Sequence, residues 1–423
     1  MDFLHSTKCK PIKVVITSGV RMFHLPYLAG ALNPETIDYT LLIGLYPTPH
    51  VKRFLRVFSR RKQLKVLARQ HTIPLKRIQT CVVAELFAQL QEASRRLFSF
   101  SLLDNLLAYF VHYTFAFKAL LVLQRARPNI YHYRCAFGLF SLAFANKNGM
   151  IKLCDHSIAH PILIDYLTNN RGCLPESRDG GMAHLGDVGQ RLMQADLGQA
   201  DHIVVNSEFV KHTLLFAGVP PEKVSVVELS VDEKFIKSVN SLDESVRKRP
   251  ANELLFAGSW VKRKGIDWLA QAVENLSGLV KLRIAGTSTS ILRQYCHSMA
   301  VSEAYFSGLG YLSREDLAQE MLQTRIFIFP SFCEGYAKTI QEAMVCGCYI
   351  IATPNSGFSL GDGACGILVD PGEPEQLAEA IKSALADPML DAYCRRNRDY
   401  AHARYSPASY ADNMQKLYQK LLG

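Results

Sequence analysis

Residues Phe327–Ala352 read FIFPSFCEGYAKTIQEAMVCGCYIIA. An apolar run ends at Pro330, a loop of small residues carries Glu334 and Gly335, helix-forming residues follow from Ala337 to Val345, and a second apolar run starts near Cys348. Short apolar strands alternating with helices imply a parallel sheet with crossovers on both faces. The N-terminus of the helix exposes unpaired N–H groups and partial positive charge, which suits a phosphate. Gly335 has no side chain, so the backbone can come close to a ligand there. Glu334 stands before the helix, where it can point across a cleft. Glu342 lies inside it, where it can accept hydrogen bonds from vicinal hydroxyls.

The same rhythm extends in both directions. Strands are expected at Ile12–Thr17, Tyr39–Leu45, Asn129–Tyr133, Ile151–Cys154 and His202–Val205 in the first half. The second half offers Val224–Val227, Glu253–Ala257, Leu279–Ala285, Arg325–Phe329 and Cys348–Ala352. Glu375–Ala386 reads as a helix with Pro374 at its start, and Tyr405–Gly423 as a helix opened by Ser406-Pro407. Lys234–Asn252 is polar and reads as an exposed connection. A chain of 423 residues is too long for one core, so the expected architecture is two doubly wound, Rossmann-like α/β domains facing a central cleft. Ligands in such sheets sit beyond the carboxyl ends of the strands.

Composition narrows the function classes. With 48% hydrophobic and 20% charged residues, disorder, collagen and a disulfide miniprotein are excluded. The eleven cysteines are scattered without a Cys-x-x-Cys pair, which argues for buried thiols in a reducing compartment and against zinc. The N-terminus lacks the pattern of a secretory signal. Leu102–Leu123 reaches membrane length, but Asp104, Asn105, His112 and Lys118 interrupt it, and it reads as one or two buried helices. The net charge of +10 points to an acidic partner.

Glu334-x7-Glu342, flanked by FIFPS and by EAMVCG, resembles the signature of retaining nucleotide-sugar glycosyltransferases of the GT-B fold, family 4 (glycosyl transferases group 1) in particular. The resemblance continues through Phe256–Val273, Gly308–Met321, Cys365–Ile381 and Ala200–Asp232, covering most of residues 200–390. It implies domains at 1–222 and 223–403, with a final helix, 404–423, returning to the first. It also implies a sugar moved from a nucleotide diphosphate, UDP by default, to an acceptor hydroxyl on a glycan, lipid-linked or polysaccharide precursor. No cofactor beyond that co-substrate and no metal are implied, and no Asp-x-Asp follows a strand.

Carried over residue by residue, the resemblance implies that Glu342 binds the ribose hydroxyls and Glu334 those of the transferred sugar. Backbone groups of Gly335, Tyr336 and Ala337 meet sugar and phosphate, with Lys338 and Thr339 in the following helical turn, while Lys264 neutralises the diphosphate. Leu312 lies near the base. One position departs from the pattern. Many relatives carry Arg where this chain has Ser259, so Lys262 or Arg263 is left to supply the second cation. In the first half, Gly19 resembles the glycine of the loop facing the donor phosphate, and Arg21 and His24 can face the acceptor, the side assigned to them here, or the phosphate. A histidine is expected near the reacting sugar. His156, directly after the strand, is the first choice and His160 the alternative, with Asp155 placed to orient its neighbour.

Val51–Arg77 carries ten Lys/Arg and no Asp/Glu, interleaved with Phe54, Leu55, Phe58, Leu64 and Leu67. It fits an anionic membrane face or an acidic acceptor, or else a solvated helix face. No nucleic-acid-binding module is recognisable. The resulting expectation is a cytoplasmic enzyme, peripheral on the inner membrane face. The alternatives are an epimerase or phosphorylase of related fold, or a non-catalytic protein binding a nucleotide sugar or an anionic surface.

Overall fold

The computed structural model describes residues 10–20, 24–48, 51, 73–97, 101–175, 188–242, 250, 252–361 and 363–423. Arg21 and residues 52–72 of the basic stretch lie outside the described residues. By contact density the chain forms two compact units. One comprises Met1–His156, Leu185–Val204 and Ala411–Gly423; the other comprises Ser157–His184 and Val205–Tyr410.

The strands are β1 (Ile12–Thr17), β2 (Ile37–Ile43), β3 (Ile78–Thr80), β4 (Ile130–Arg134), β5 (Ile151–His156), β6 (His202–Val205), β7 (Val224–Val226), β8 (Glu253–Ala257), β9 (Lys281–Ala285), β10 (Phe306–Gly310), β11 (Ile326–Phe329), β12 (Tyr349–Ala352) and β13 (Gly366–Leu368). They form a seven-stranded sheet, β3-β2-β1-β4-β5-β6-β7, and a six-stranded sheet, β10-β9-β8-β11-β12-β13. The pairs β1–β2, β1–β4, β8–β9 and β11–β12 are parallel. Central parallel strands are covered on both faces, so their sequences are apolar runs. Val14, Val15 and Ile16 in β1 are buried, and so is every residue of β11.

Each sheet reverses its direction of growth once. In the first, the reversal lies between β1 and β4; in the second, between β8 and β11. At such a reversal the loops leaving two neighbouring strands diverge and open a crevice beyond their carboxyl ends.

Several elements differ from expectation. Short strands β3, β10 and β13 gave no sequence signal; all three are edge strands, paired on one side, and β10 contains two glycines. Val224–Val226, grouped by sequence with the second half, is the far edge of the first sheet. The connection Lys234–Asn252 begins as a helix, Glu233–Ser241, which buries Phe235 and Val239 and is capped by Asp232. Ser101–Ala126 is one helix with a single buried face; Leu102, Leu106, Phe110 and Phe117 are exposed. The helix Pro407–Leu422 starts as read, with Ser406 Oγ accepting from Ser409 N. Its Tyr418 is fully buried, 2.7 Å from His132 Nδ1. No disulfide forms among the described cysteines, and of these Cys173 is exposed.

Candidate active site

In the second unit, the loops after β8 and β11 are sewn together. Gly265 takes φ +73°, and a Cβ there would lie 1.9 Å from the Pro330 carbonyl oxygen, so only glycine fits. Phe332 N and Ser331 Oγ donate to the Arg263 carbonyl at 2.9 and 3.1 Å. Trp268 Nε1 donates to the Pro330 carbonyl at 3.1 Å. The Lys262–Lys264 run is thereby a 3-10 turn fixed at the sheet reversal. Lys262 stays exposed, while Arg263 and Lys264 turn inward. Lys264 Nζ sits 4.7 Å from the Phe329 ring centre. Ser259 is exposed and brings no charge.

Both inward cations face Glu334. Its Oε1 lies 2.9 Å from Arg263 Nη1 and 3.3 Å from Lys264 Nζ. Neither contact is aligned as a hydrogen bond, and the oxygen has no other partner although it is buried. Arg263 Nη1 instead donates to the Cys333 carbonyl. The carboxylate is therefore held in place by two flanking cations, and its Oε1 accepts no hydrogen bond in this arrangement.

Gly335 has a role that sequence did not anticipate. A Cβ on it would meet the Ser157 carbonyl oxygen at 1.8 Å, so here the close approach is backbone to backbone. Its own carbonyl accepts from Ser207 Oγ at 2.6 Å. The Ala337 amide, expected to meet the ligand, donates to the Ser356 carbonyl at 2.9 Å and is already engaged. The Glu334 amide is likewise taken by Asn355. The Tyr336 side chain turns into the core, its hydroxyl 2.9 Å from that of Tyr405, leaving only its backbone to serve a ligand. Asn206, Ser207, Asn355 and Ser356 thus shape the loop. The sequence signal for the first two was the Asn-Ser after β6; the others lie in the turn after β12.

Helix Lys338–Val345 is buried from Ile340 onward, which leaves Lys338 exposed and Thr339 half-buried in its first turn. Glu342, buried, is paired at 2.8 Å with Nη1 of Arg314, a residue that sequence reading missed. Arg314 opens the helix Arg314–Leu322, capped by Ser313 and two residues past Leu312. Leu312 packs its side chain on the second core. Burial pushes the Glu342 carboxyl above its ordinary value, against the pull of Arg314 and Lys338.

The first unit holds its own polar cluster at the β1/β4 reversal. Gly19, at φ +75°, follows β1 with the Phe137 ring where a Cβ would sit, 2.7 Å away. His24 Nε2 is 2.7 Å from Asp155 Oδ2, and Arg134 Nη1 is 2.8 Å from Asp155 Oδ1. His132 Nε2 lies 3.6 Å from Asp155 Oδ2. Burial alone would raise the Asp155 carboxyl, but His24, His132 and Arg134 hold it well below the ordinary carboxylate range. Asp155 does not orient His156. Strand β5 runs through both residues, so their side chains leave opposite faces of the sheet. His156 and His160 are both buried. His160, in the second unit, has its amide on Thr213 Oγ1 at 3.0 Å and its Nδ1 facing the Ile162 amide at 3.4 Å.

A cavity of about 350 Å³ in the first unit is lined by Val20, Arg95, Asp104, His112, Phe137 and Met193, among others. His112 Nδ1 is hydrogen-bonded to the Ala136 carbonyl at 2.8 Å, its ring 4.5 Å from that of Phe137. The loop carrying Ala136 and Leu139, both at positive φ, is held by buried Asp196. The Asp196 carboxylate accepts from Gly138 N at 2.9 Å and Leu139 N at 3.1 Å. Burial nevertheless raises its carboxyl to about 6.

The chain matches the family model for Glycosyltransferase Family 4 over residues 50–235 and that for Glycosyl transferases group 1 over residues 251–387. It is similar to the O-antigen chain mannosyltransferase B of Escherichia coli, 29% identical over 31% of this chain and 36% of that one. The first such relatives are matched over 36–58% of their length. Among solved structures, the sucrose-phosphate synthase of Thermosynechococcus elongatus superposes with a TM-score of 0.64 at 17% identity, covering 97% of this chain and 99% of that one. The Anabaena protein HepE, crystallised with UDP and glucose, superposes with a TM-score of 0.60 at 15% identity, covering 97% and 100%. At these identities the structures speak to the fold, which is GT-B.

Proposed function

We propose that this chain, which belongs to the GT-B glycosyltransferases of the family 4 and group 1 type, moves a hexose-type sugar from a UDP-sugar to an acceptor hydroxyl with retention at the anomeric carbon. The observation that carries this reading is Glu334 Oε1, buried without a hydrogen bond between Arg263 and Lys264 at the β8/β11 reversal. In this reading Glu334 accepts hydrogen bonds from hydroxyls of the sugar, and Arg263 supplies the cation missing at Ser259. Glu342, freed in part from Arg314, accepts the ribose hydroxyls. The bond from the anomeric carbon to the diphosphate oxygen breaks as the acceptor oxygen bonds to that carbon. The acceptor proton passes to the departing phosphate. Charge grows on the diphosphate during this step, and fixed cations aimed at it, Lys264 and Arg263, stabilise the transition state more than the ground state. No metal is required, so EDTA leaves turnover unchanged. The acceptor, a glycan, lipid-linked or polysaccharide precursor, is offered by the first unit, whose cavity presents Arg95, Asp104 and His112 as polar contacts.

Calorimetric titration with UDP, GDP and ADP in metal-free buffer, alongside Glu342→Ala, tests the reading. UDP is expected to bind selectively and the variant to lose it. A folded protein that binds none of the three overturns the reading.

A further inference from the structure

The helices Val82–Leu97 and Ser101–Ala126 pack side by side, with Phe87 stacked on Phe110 at 5.0 Å between ring centres. Arg95 Nε and Nη2 clasp the two carboxylate oxygens of Asp104 at 2.6 and 2.8 Å near the ends where the helices adjoin. Their outward faces are unusual. Every exposed position of the second helix between residues 102 and 117 is Leu, Tyr or Phe, from Leu102 at 85% down to Tyr109 at 37%. On the first helix the exposed positions up to Leu90 are Val82, Val83, Leu86 and Leu90. At 100° per residue, Leu102, Leu106, Tyr109, Phe110, Tyr113 and Phe117 fall within one stripe. A helical stripe made only of exposed apolar and aromatic side chains marks an interaction surface.

We propose that this helical pair docks the first unit on the surface of an anionic lipid bilayer. The Ser101–Ala126 helix is long and apolar enough to cross a membrane. Its opposite face, however, is committed to the protein core, with Phe115, Ala116, Ala119 and Leu123 fully buried. The helix therefore lies on the bilayer with its outer stripe in the headgroup region, where Tyr109 and Tyr113 can bury their rings and keep their hydroxyls wet. Charge selects a bilayer over a second copy of the chain. The ten cations of Val51–Arg77, without one acidic residue, precede the pair directly in sequence, and the chain carries +10 overall. Two copies of a chain at +10 repel each other, whereas an anionic leaflet attracts each of them. The apolar stripe supplies a contact that the basic stretch cannot. The proposal stands apart from the donor chemistry, since its readout needs no nucleotide.

The test is flotation of the full chain with vesicles of phosphatidylcholine, alone or mixed with phosphatidylglycerol. The chain is expected to float with the mixed vesicles, and Phe110→Ser combined with Phe117→Ser to lower the partition about tenfold or more. Phe117→Trp, a mild change, is expected to add to the emission of Trp260 and Trp268 a blue-shifted component quenched by brominated lipid. That component reports the stripe directly, even where the double variant folds poorly. Flotation unaffected by the double variant, or an added emission in Phe117→Trp that brominated lipid leaves unquenched, would each overturn the proposal. So would absent flotation, with or without a dimer that the double variant disperses.

Discussion

Replacing Glu342 by Gln separates a ligand-binding carboxylate from a structural ion pair, because the two roles predict opposite responses. The carboxyl is buried and its pKa is raised, so the surroundings disfavour its charge despite Arg314 at 2.8 Å. Gln is nearly isosteric and neutral, and Arg314, whose side chain is 47% exposed, stays solvated when the charge opposite it is removed. The fold should therefore lose no more than the ~0–1 kcal/mol of a half-exposed pair, offset by the relief of a buried charge. Ribose hydroxyls bonded to a carboxylate are worth about 1.5–3 kcal/mol in charge-assisted hydrogen bonding. Losing them weakens UDP binding roughly 10- to 150-fold. Titration calorimetry with UDP and a thermal melt of the same preparation read both quantities. A variant with a melting temperature lowered by many degrees and UDP affinity unchanged would refute the reasoning and make Glu342 a structural residue.

Three further outcomes follow from the geometry. Gly335→Ala drives a Cβ to 1.8 Å from the Ser157 carbonyl oxygen and should cost on the order of 3 kcal/mol or more, seen as a marked drop in melting temperature; an unchanged melt would mean that the loop yields freely. Asp155→Asn should cost about 3–5 kcal/mol at pH 7 by leaving Arg134 and His24 without their buried counter-charge. The Asp155 pKa is depressed, so its stabilisation is complete above the unfolded value of about 3.9 and is lost as pH falls through the folded value; acid titration of the variant should lack that share of the loss. Asp196 has the opposite sign. With a folded pKa of about 6, it binds more protons folded than unfolded between about pH 4 and 6, so stability falls across that window by roughly 3 kcal/mol as pH rises. Asp196→Asn should flatten this slope in denaturant titrations at stepped pH.

Much of the fold was legible because buried parallel strands must be apolar runs. The runs at Ile12, Glu253 and Cys348 fall in β1, β8 and β12. Three of the four edge strands escaped notice, because pairing on one side asks little of composition, as the FSGLG of β10 shows. The two glutamates stood out from their local spacing, since loop and helix lie close in sequence, whereas the Lys-Gly turn, far upstream of them, was marked only by its resemblance to the family. What the amino-acid order settled by itself, then, was the succession of strands and helices and the identity of the chemical groups. Partnership was decided only in three dimensions. Arg314 meets Glu342 across 28 residues, and His24 meets Asp155 across 131. Asp155 and His156, neighbours in the chain, part to opposite faces because a strand alternates its side chains. Exposure was decided there too. The apolar run Leu102–Leu123 has the composition of a core helix, yet only one of its faces finds a core to enter, because a helix spreads its residues around a cylinder and a single neighbouring layer covers one side.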